Sequence, residues 1–364
     1  MKEPKKKIKI GIAGYGFGKK VHLEALKESE NFLVTSFYHP NPQKKNLIES
    51  ETKLKCHTNW EVFIKEDIEA VILAIPPESR FELAKIALEN NKHLLLEKPV
   101  AIKASEIEEL QRLSLIDNLS VCVDFEYRAV PLFLQAKEMI ENNLLGKIYL
   151  TKLDWLMGSR SDPNREWNWY SQTEKGGGVM GALGTHAFDM IHWFFGETSK
   201  VTGKISTSIA KRPQNSTGEM LKVTSEDVCL ANIEIMNNFG YLFNCQVSLS
   251  SISKGGRGFS LEIYGSEGSM FLKSENQNDY VHGFTLNFVD KSNKNNVINP
   301  KSNFLFEKTW ADGRIAPVKR IHDLWAKSIF TRQPIVPGLY EGLKSQRVCE
   351  AIRRSSNSGM EVDI

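Results

Sequence analysis

Cysteine is scarce in this chain and follows no pattern. The five cysteines among 364 residues, Cys56, Cys122, Cys229, Cys245 and Cys349, are scattered, odd in number and without a C-x-x-C pair. That excludes a disulfide framework and a structural zinc site, so no metal is expected and a reducing, cytoplasmic setting is. Long apolar runs are missing too. Stretches such as 71–75 fall far short of the roughly 20 residues that span a bilayer. Charge of one sign is lacking: 47 Lys+Arg against 44 Asp+Glu leave a formal +3, which gives no support to a nucleic-acid or membrane-surface partner. Lys5-Lys6-Lys7 reads as a solubilising approach to a first strand, because Gly11, Gly14, Gly16 and Gly18 interrupt any apolar signal core. No repeat of solenoid type is present.

What is there is alternation. Short apolar runs at 8–13, 32–38, 70–75, 93–96 and 119–124 alternate with helical patterns at 20–29, 60–65, 78–90 and 105–115. Ser105 and Glu108 are expected to form the capping box of the last helix. Strand–helix alternation over about 120 residues predicts a doubly wound parallel sheet, and a first domain over residues 1–123. The remainder, 124–364, changes character. Helices are expected at 131–142, 184–195, 318–330 and 340–355. Alternating β runs at 228–235, 240–248, 259–264 and 269–272 predict an antiparallel sheet with one solvated face. The polar stretch 274–302 reads as a surface excursion.

The run Gly14-Tyr15-Gly16-Phe17-Gly18-Lys19 follows a strand and opens a helix, the context of a phosphate-binding turn. Gly14 permits the turn and Gly16 lets the backbone approach a pyrophosphate. A third glycine would fall at Lys19; Gly18 lies one residue early and is expected to serve the close helix–strand approach. The end of the second strand reads Phe37-Tyr38-His39-Pro40-Asn41, with no carboxylate. A carboxylate there would repel a 2′-phosphate by about 3 kcal/mol per unit charge at roughly 5 Å and an effective dielectric near 20. Its absence, with Lys44 and Lys45 nearby, predicts that NADP is accepted and preferred over NAD. His39 fits equally well as a cofactor contact or as an exposed turn histidine.

Glu97-Lys98-Pro99 places a lysine at the end of a later strand, where the reactive end of a dinucleotide would lie. Together with Ala70-Val71-Ile72-Leu73-Ala74-Ile75-Pro76-Pro77, Phe125-Glu126-Tyr127-Arg128, Gly176-Gly177-Gly178 and Gly184-Thr185-His186-Ala187-Phe188-Asp189, it resembles the glucose–fructose oxidoreductase / inositol dehydrogenase / MocA family nearly end to end. The resemblance implies an α/β chain: an N-terminal Rossmann domain, then an α+β domain with a large open, mostly antiparallel sheet that commonly builds a homodimer or homotetramer. It implies hydride transfer between a nicotinamide (NADP or NAD) and a hydroxyl-bearing carbon of a sugar, polyol or related molecule. Cofactor contacts are implied for Gly14 to Lys19, His39, Ile75, Pro76, Pro77, Glu97 and Lys98.

Alcohol oxidation releases a proton along with the hydride, so the site needs a proton acceptor and a positive charge for the developing alkoxide. Lys98 and His186 are the catalytic candidates. Tyr127, Arg128, Arg165, Trp167 and Asp189 are candidates for substrate binding. Many relatives carry an aspartate four residues before the histidine; here that position is Ala182. Its loss motivates a rival reading, a cofactor-binding sensor or scaffold. A methyltransferase using S-adenosylmethionine would share the glycine turn but leave Glu97-Lys98-Pro99 without a role.

Overall fold

The computed structural model describes residues 6–274, 276 and 279–364. Two compact units emerge: residues 1–126 with 308–343, and residues 127–307 with 344–364.

The first unit is built on six strands: β1 (Ile8–Ala13), β2 (Phe32–Tyr38), β3 (Lys55–His57), β4 (Ala70–Leu73), β5 (His93–Leu96) and β6 (Val121–Val123). Their order is β3-β2-β1-β4-β5-β6, and every neighbouring pair is parallel. The order reverses between β1 and β4, which makes their carboxyl ends the topological switch point. All four residues of β4 are buried, as expected of a strand covered on both faces. Helices α1 (Glu24–Lys27), α2 (Lys45–Thr52), α3 (Trp60–Ile64), α4 (Pro77–Glu89) and α5 (Ala104–Ile116) connect the strands.

Pro77 opens α4, where its fixed φ suits the first turn and its missing N–H costs nothing. The expected Ser105–Glu108 box is corrected. The helix starts at Ala104, and Glu106 supplies the cap, accepting from the backbone N–H groups of Ile102 (3.0 Å) and Lys103 (3.1 Å). Lys6 and Lys7 precede β1, Lys7 bonding the Ser29 carbonyl at 2.8 Å; Lys5 lies outside the described residues.

The second unit carries helix α6 (Pro131–Glu141), strand β7 (Ile148–Leu156), helix α7 (Thr185–Phe195) and strand β8 (Gly196–Ser206). A separate hairpin pairs β9 (Lys211–Pro213) with β10 (Met220–Lys222). Next come β11 (Val228–Asn237), β12 (Leu242–Ser250), β13 (Gly258–Gly265), β14 (Gly268–Ser274), β15 (Phe284–Asp290) and β16 (Asn295–Val297). The chain then runs through α8 (Ile315–Thr331), which belongs to the first unit, and α9 (Leu339–Ser358) to the short β17 (Val362–Asp363).

The nine strands of the large sheet run β16-β15-β14-β13-β7-β12-β11-β8-β17. Only β12 and β7 pair in parallel; the other neighbours are antiparallel. Alternation decides the faces. Cys229, Ala231, Ile233 and Ile235 of β11 are buried against a core that includes Phe133, Phe188, Phe194 and Ile352, while Leu230 and Met236 are exposed.

The stretch 274–302, expected to be a surface excursion, is corrected: it contains β15 and β16, with Phe284 and Leu286 buried. Their Asn and Thr neighbours masked the apolar alternation. Residues 275, 277 and 278 of that stretch lie outside the described residues. All five cysteines are free and buried. Among the described residues no helix is long and apolar enough to cross a membrane.

Candidate active site

In the first unit, β1 ends in the glycine turn. Gly14 has φ +104°, and a Cβ there would sit 2.2 Å from the Ala74 carbonyl oxygen. Only glycine accepts both conditions. A Cβ on Gly16 would meet nothing within 4 Å. The protein's own packing therefore does not require glycine at 16, which leaves room at that backbone for a ligand. A Cβ on Gly18 would lie 2.9 Å from Ile12 Cγ2, so this residue provides the helix–strand approach that the motif assigns to a later position. The turn thus fits a dinucleotide's pyrophosphate, cradled by backbone at a helix start.

Tyr15 and Lys19 both engage Glu51 on α2. His39 follows β2, and its Nδ1 accepts from the Asn41 N–H at 3.1 Å. Burial, then the charge of Lys44, pushes its pKa down.

Lys98 follows β5 by two residues and is partly buried. The loop that carries it is held by Arg80 of α4, which is 2% exposed. This guanidinium donates to the carbonyls of Ile75, Glu97 and Pro99, tying the ends of two strands together. Burial pushes its pKa down to about 10, so it stays charged.

Behind Lys98 lies a polar cluster. His22 Nε2 is 3.0 Å from Glu97 Oε1, and His22 Nδ1 is 3.0 Å from His322 Nε2. Asp124, fully buried, lies 3.8 Å from His22. Burial, with Glu97 and Glu126 nearby, drives the Asp124 carboxyl well above the usual range. Burial thus favours the neutral form of Asp124 beside Glu97. The ligand atoms of His22, Glu97 and Asp124 lie within 4.8 Å of one another, a spacing a cation could use.

Glu126 follows β6 and is 6% exposed. Burial lifts its carboxyl to about 7, with the positive charge of Lys98 pulling it back. Burial in turn lowers the Lys98 pKa, with Glu126 its foremost opposing charge. Desolvation thus shifts the amine and the carboxyl toward each other in proton affinity, the Lys98 pKa downward and that of Glu126 upward.

In the second unit, His186 sits in the first turn of α7 and is 3% exposed. Its ring meets Tyr127 edge to face, centroids 5.1 Å apart, and Tyr127 meets Trp155 in the same manner at 5.1 Å. Arg128 and Asp189 are joined to each other. Two near-parallel hydrogen bonds of 2.8 and 2.7 Å link guanidinium and carboxylate, and Arg128 lies over the Trp193 ring. This bidentate pair fixes α7 to the segment carrying Tyr127. Trp167 is pinned to the β9–β10 hairpin, its indole N–H donating to the Lys222 carbonyl at 2.9 Å. Arg165 is exposed and donates to the Ser159 carbonyl at 2.6 Å.

Residues 8–125 match the model described as the oxidoreductase family's NAD-binding Rossmann fold, and 137–364 match that family's C-terminal alpha/beta domain. The chain belongs to the Gfo/Idh/MocA oxidoreductase family. An uncharacterized oxidoreductase of Synechocystis sp. is 37% identical over 96% of this chain and 94% of its own. Glucose-6-phosphate 3-dehydrogenase of Bacillus subtilis is 26% identical, covering 96% and 97%. Levoglucosan dehydrogenase, solved with NADH, shares the fold with a TM-score of 0.85 at 22% identity, covering 99% of both chains.

As a Gfo/Idh/MocA protein the chain is a nicotinamide-dependent oxidoreductase. Glycine turn, Lys98 and Glu97 fall in one unit, and His186, Tyr127, Arg128 and Asp189 in the other. Sequence reasoning missed Arg80, Asp124, Glu126 and His322. Glu126 had a signal, a carboxylate three residues past a buried strand. Arg80 and His322 had none, for one reads as a helix-surface cation and the other is distant in sequence.

Proposed function

We propose that this protein is a dehydrogenase or reductase acting at a hydroxyl-bearing carbon of a sugar or polyol, with Lys98 and Glu126 managing the proton and His186 as a second acid–base group. The observation that carries this reading is the Lys98–Glu126 pair, where burial lowers the amine's pKa and raises the carboxyl's. The sugar class is supported by two relatives whose names are glucose-6-phosphate 3-dehydrogenase and levoglucosan dehydrogenase.

Gly14, Gly16 and the helix start beyond them would hold the pyrophosphate, and the bound nicotinamide supplies hydride acceptance or donation. The chain's own residues supply the rest. Desolvation lets Lys98 present a neutral amine that takes the hydroxyl proton; Glu126 then receives a proton from the resulting ammonium. The ammonium stage also opposes the negative charge on the developing alkoxide. NADP is the proposed preference, since no acid follows β2 and the charge of Lys44 reaches His39.

The test is steady-state turnover of the full chain with NADP and NAD over a panel of sugars and polyols. Turnover is expected, at higher kcat/KM with NADP, falling about 10²–10⁴-fold in Lys98→Ala and His186→Ala. A tenfold preference for NAD refutes the cofactor assignment. Ala182, in place of a carboxylate, favours the sensor reading; tight NADPH binding with no turnover on any compound would establish it instead.

A further inference from the structure

Three arginines gather in the second unit, on the segment before the glycine run and on β9. The Arg160 guanidinium lies flat over the Tyr170 ring, 3.3 Å from its centroid. Arg212, 4% exposed, donates to the carbonyls of Asp162 and Arg160 at 2.7 Å each. Arg165 donates to the Ser159 carbonyl at 2.6 Å and is otherwise exposed. The positive charges act on one another: Arg165 and Arg212 both depress the Arg160 pKa, though burial is the larger cause.

Buried arginines normally answer a carboxylate. Here Arg212 is buried, Arg160 half-buried and Arg165 exposed, and none of the three forms an ion pair among the described residues; the nearby carboxylates keep their charge while accepting hydrogen bonds from other groups. Both Asp227 oxygens accept the Ser208 and Ile209 N–H groups. Glu226 is paired with Arg353 at 2.8 Å, and Asp162 accepts the Asn164 N–H at 2.9 Å. Asp227 and Asp162 bear on Arg212. Burial keeps the Tyr170 phenol beneath Arg160 neutral, so that ring supplies a face and not a countercharge.

Asp227 and Asp162 answer the charge of Arg212, which leaves Arg160, seated over a ring, and Arg165, exposed, as two neighbouring cations open to an anion from solution. Arg212 plays a separate part, fixing the carbonyls of the loop and so setting where Arg160 and Arg165 point. The Arg160 face opposite Tyr170 and the remaining donors of Arg165 match the fork geometry that binds phosphate or carboxylate oxygens. Trp169 meets Tyr170 edge to face with centroids 6.0 Å apart, adding an apolar ring face of the sort that sugars lie on.

We propose that Arg160 and Arg165, positioned by Arg212, form an oxyanion site, and that the molecule it takes is a phosphorylated sugar. The sugar part rests on the dehydrogenase reading above; the phosphate part rests on the arginines alone. A phosphate monoester is preferred to a carboxylate because it brings about −1.5 to −2 charges to the cluster rather than one.

The test uses the full chain saturated with NADPH, so that the pyrophosphate turn is filled. It is titrated calorimetrically with inorganic phosphate and, in parallel, with acetate at matched ionic strength. Saturable phosphate binding is expected, weakened at least tenfold in Arg160→Gln and in Arg165→Gln, and unchanged in Arg354→Gln, an exposed arginine elsewhere in the unit. Arg165 is exposed, so its variant folds even if that of Arg160 does not. Absence of saturable phosphate binding, or binding indifferent to both substitutions, overturns the site. Acetate binding as tight as phosphate overturns the phosphate assignment. Failure of the wild type to bind either NADPH or NADH refutes the dehydrogenase reading separately, and phosphate titration of the apo chain then judges the arginines by the same two variants.

Discussion

Lysine and glutamate change character when water is withdrawn. Lys98 loses affinity for its proton and Glu126 gains it, which is what the proposed proton path requires. Glu126 with its pKa near 7 predicts an ionisation in that region of the kcat/KM profile for alcohol oxidation. Activity rises with pH as the carboxylate forms. In Glu126→Gln this limb is expected to vanish and kcat to fall about 10–100-fold; persistence of the limb would assign it to another group. The glycine turn separates fold from ligand in the same residue-by-residue way. Gly14→Ala meets a carbonyl at 2.2 Å with φ +104° and is expected to cost about 2–3 kcal/mol. Gly16→Ala meets nothing, so its melting temperature should stay unchanged while NADPH affinity drops at least tenfold. A matched loss of stability in both would show that Gly16 serves the fold.

Elements place these residues. Strand order makes the β1 and β4 ends the switch point, and the paired Leu96 and Val123 set Lys98 and Glu126 on neighbouring strand ends. Arg80 reaches from α4 to close three carbonyls. Arg80→Met leaves those carbonyls buried without donors, an expected loss of about 2–4 kcal/mol. Turnover should fall with it, because the loop of Lys98 loses its anchor. Arg80→Lys should not rescue, since one ammonium cannot span the same three acceptors. Urea denaturation and kcat, measured together on both variants, check this; full rescue by lysine would reduce Arg80 to a simple positive charge.

At the scale of the whole molecule, the segment from 308 to 343 returns to the first unit. It brings His322 of α8, 1% exposed, against His22. Burial, and the neighbouring His22 and Lys319, hold the His322 pKa well below its ordinary value. Its sign is that of a depressed base. The unfolded chain binds a proton near pH 6.5 and the folded chain does not, so stability is full above that pH and lost as pH falls. From pH 7.5 to 5.0 this one residue should account for about 2 kcal/mol of lost stability. Asp124 and Glu126, with raised pKa values, act in the opposite direction and cancel in a comparison of variants. His322→Asn should show a correspondingly smaller drop in urea unfolding free energy between those pH values. An identical drop would show that His322 takes up a proton in the folded state.

By itself the sequence determined the periodic and the local. Apolar runs without alternation marked five of the six parallel strands, because a strand covered on both faces leaves no polar side; β3, only Lys55–His57, is too short and polar to show such a run. Gly14 and Gly16 marked the turn, and at Gly14 no other residue type takes that backbone at that approach. The strands β15 and β16 stayed hidden, because Asn and Thr between the apolar positions look like a loop until a neighbouring strand supplies the pairing. Only the tertiary structure decided which charges meet. Arg80, Asp124, Glu126 and His322 acquire their behaviour from burial beside particular partners, His322 lying 300 residues from His22 in the chain. Desolvation and proximity are properties of the folded arrangement, and no spacing in the chain encodes them.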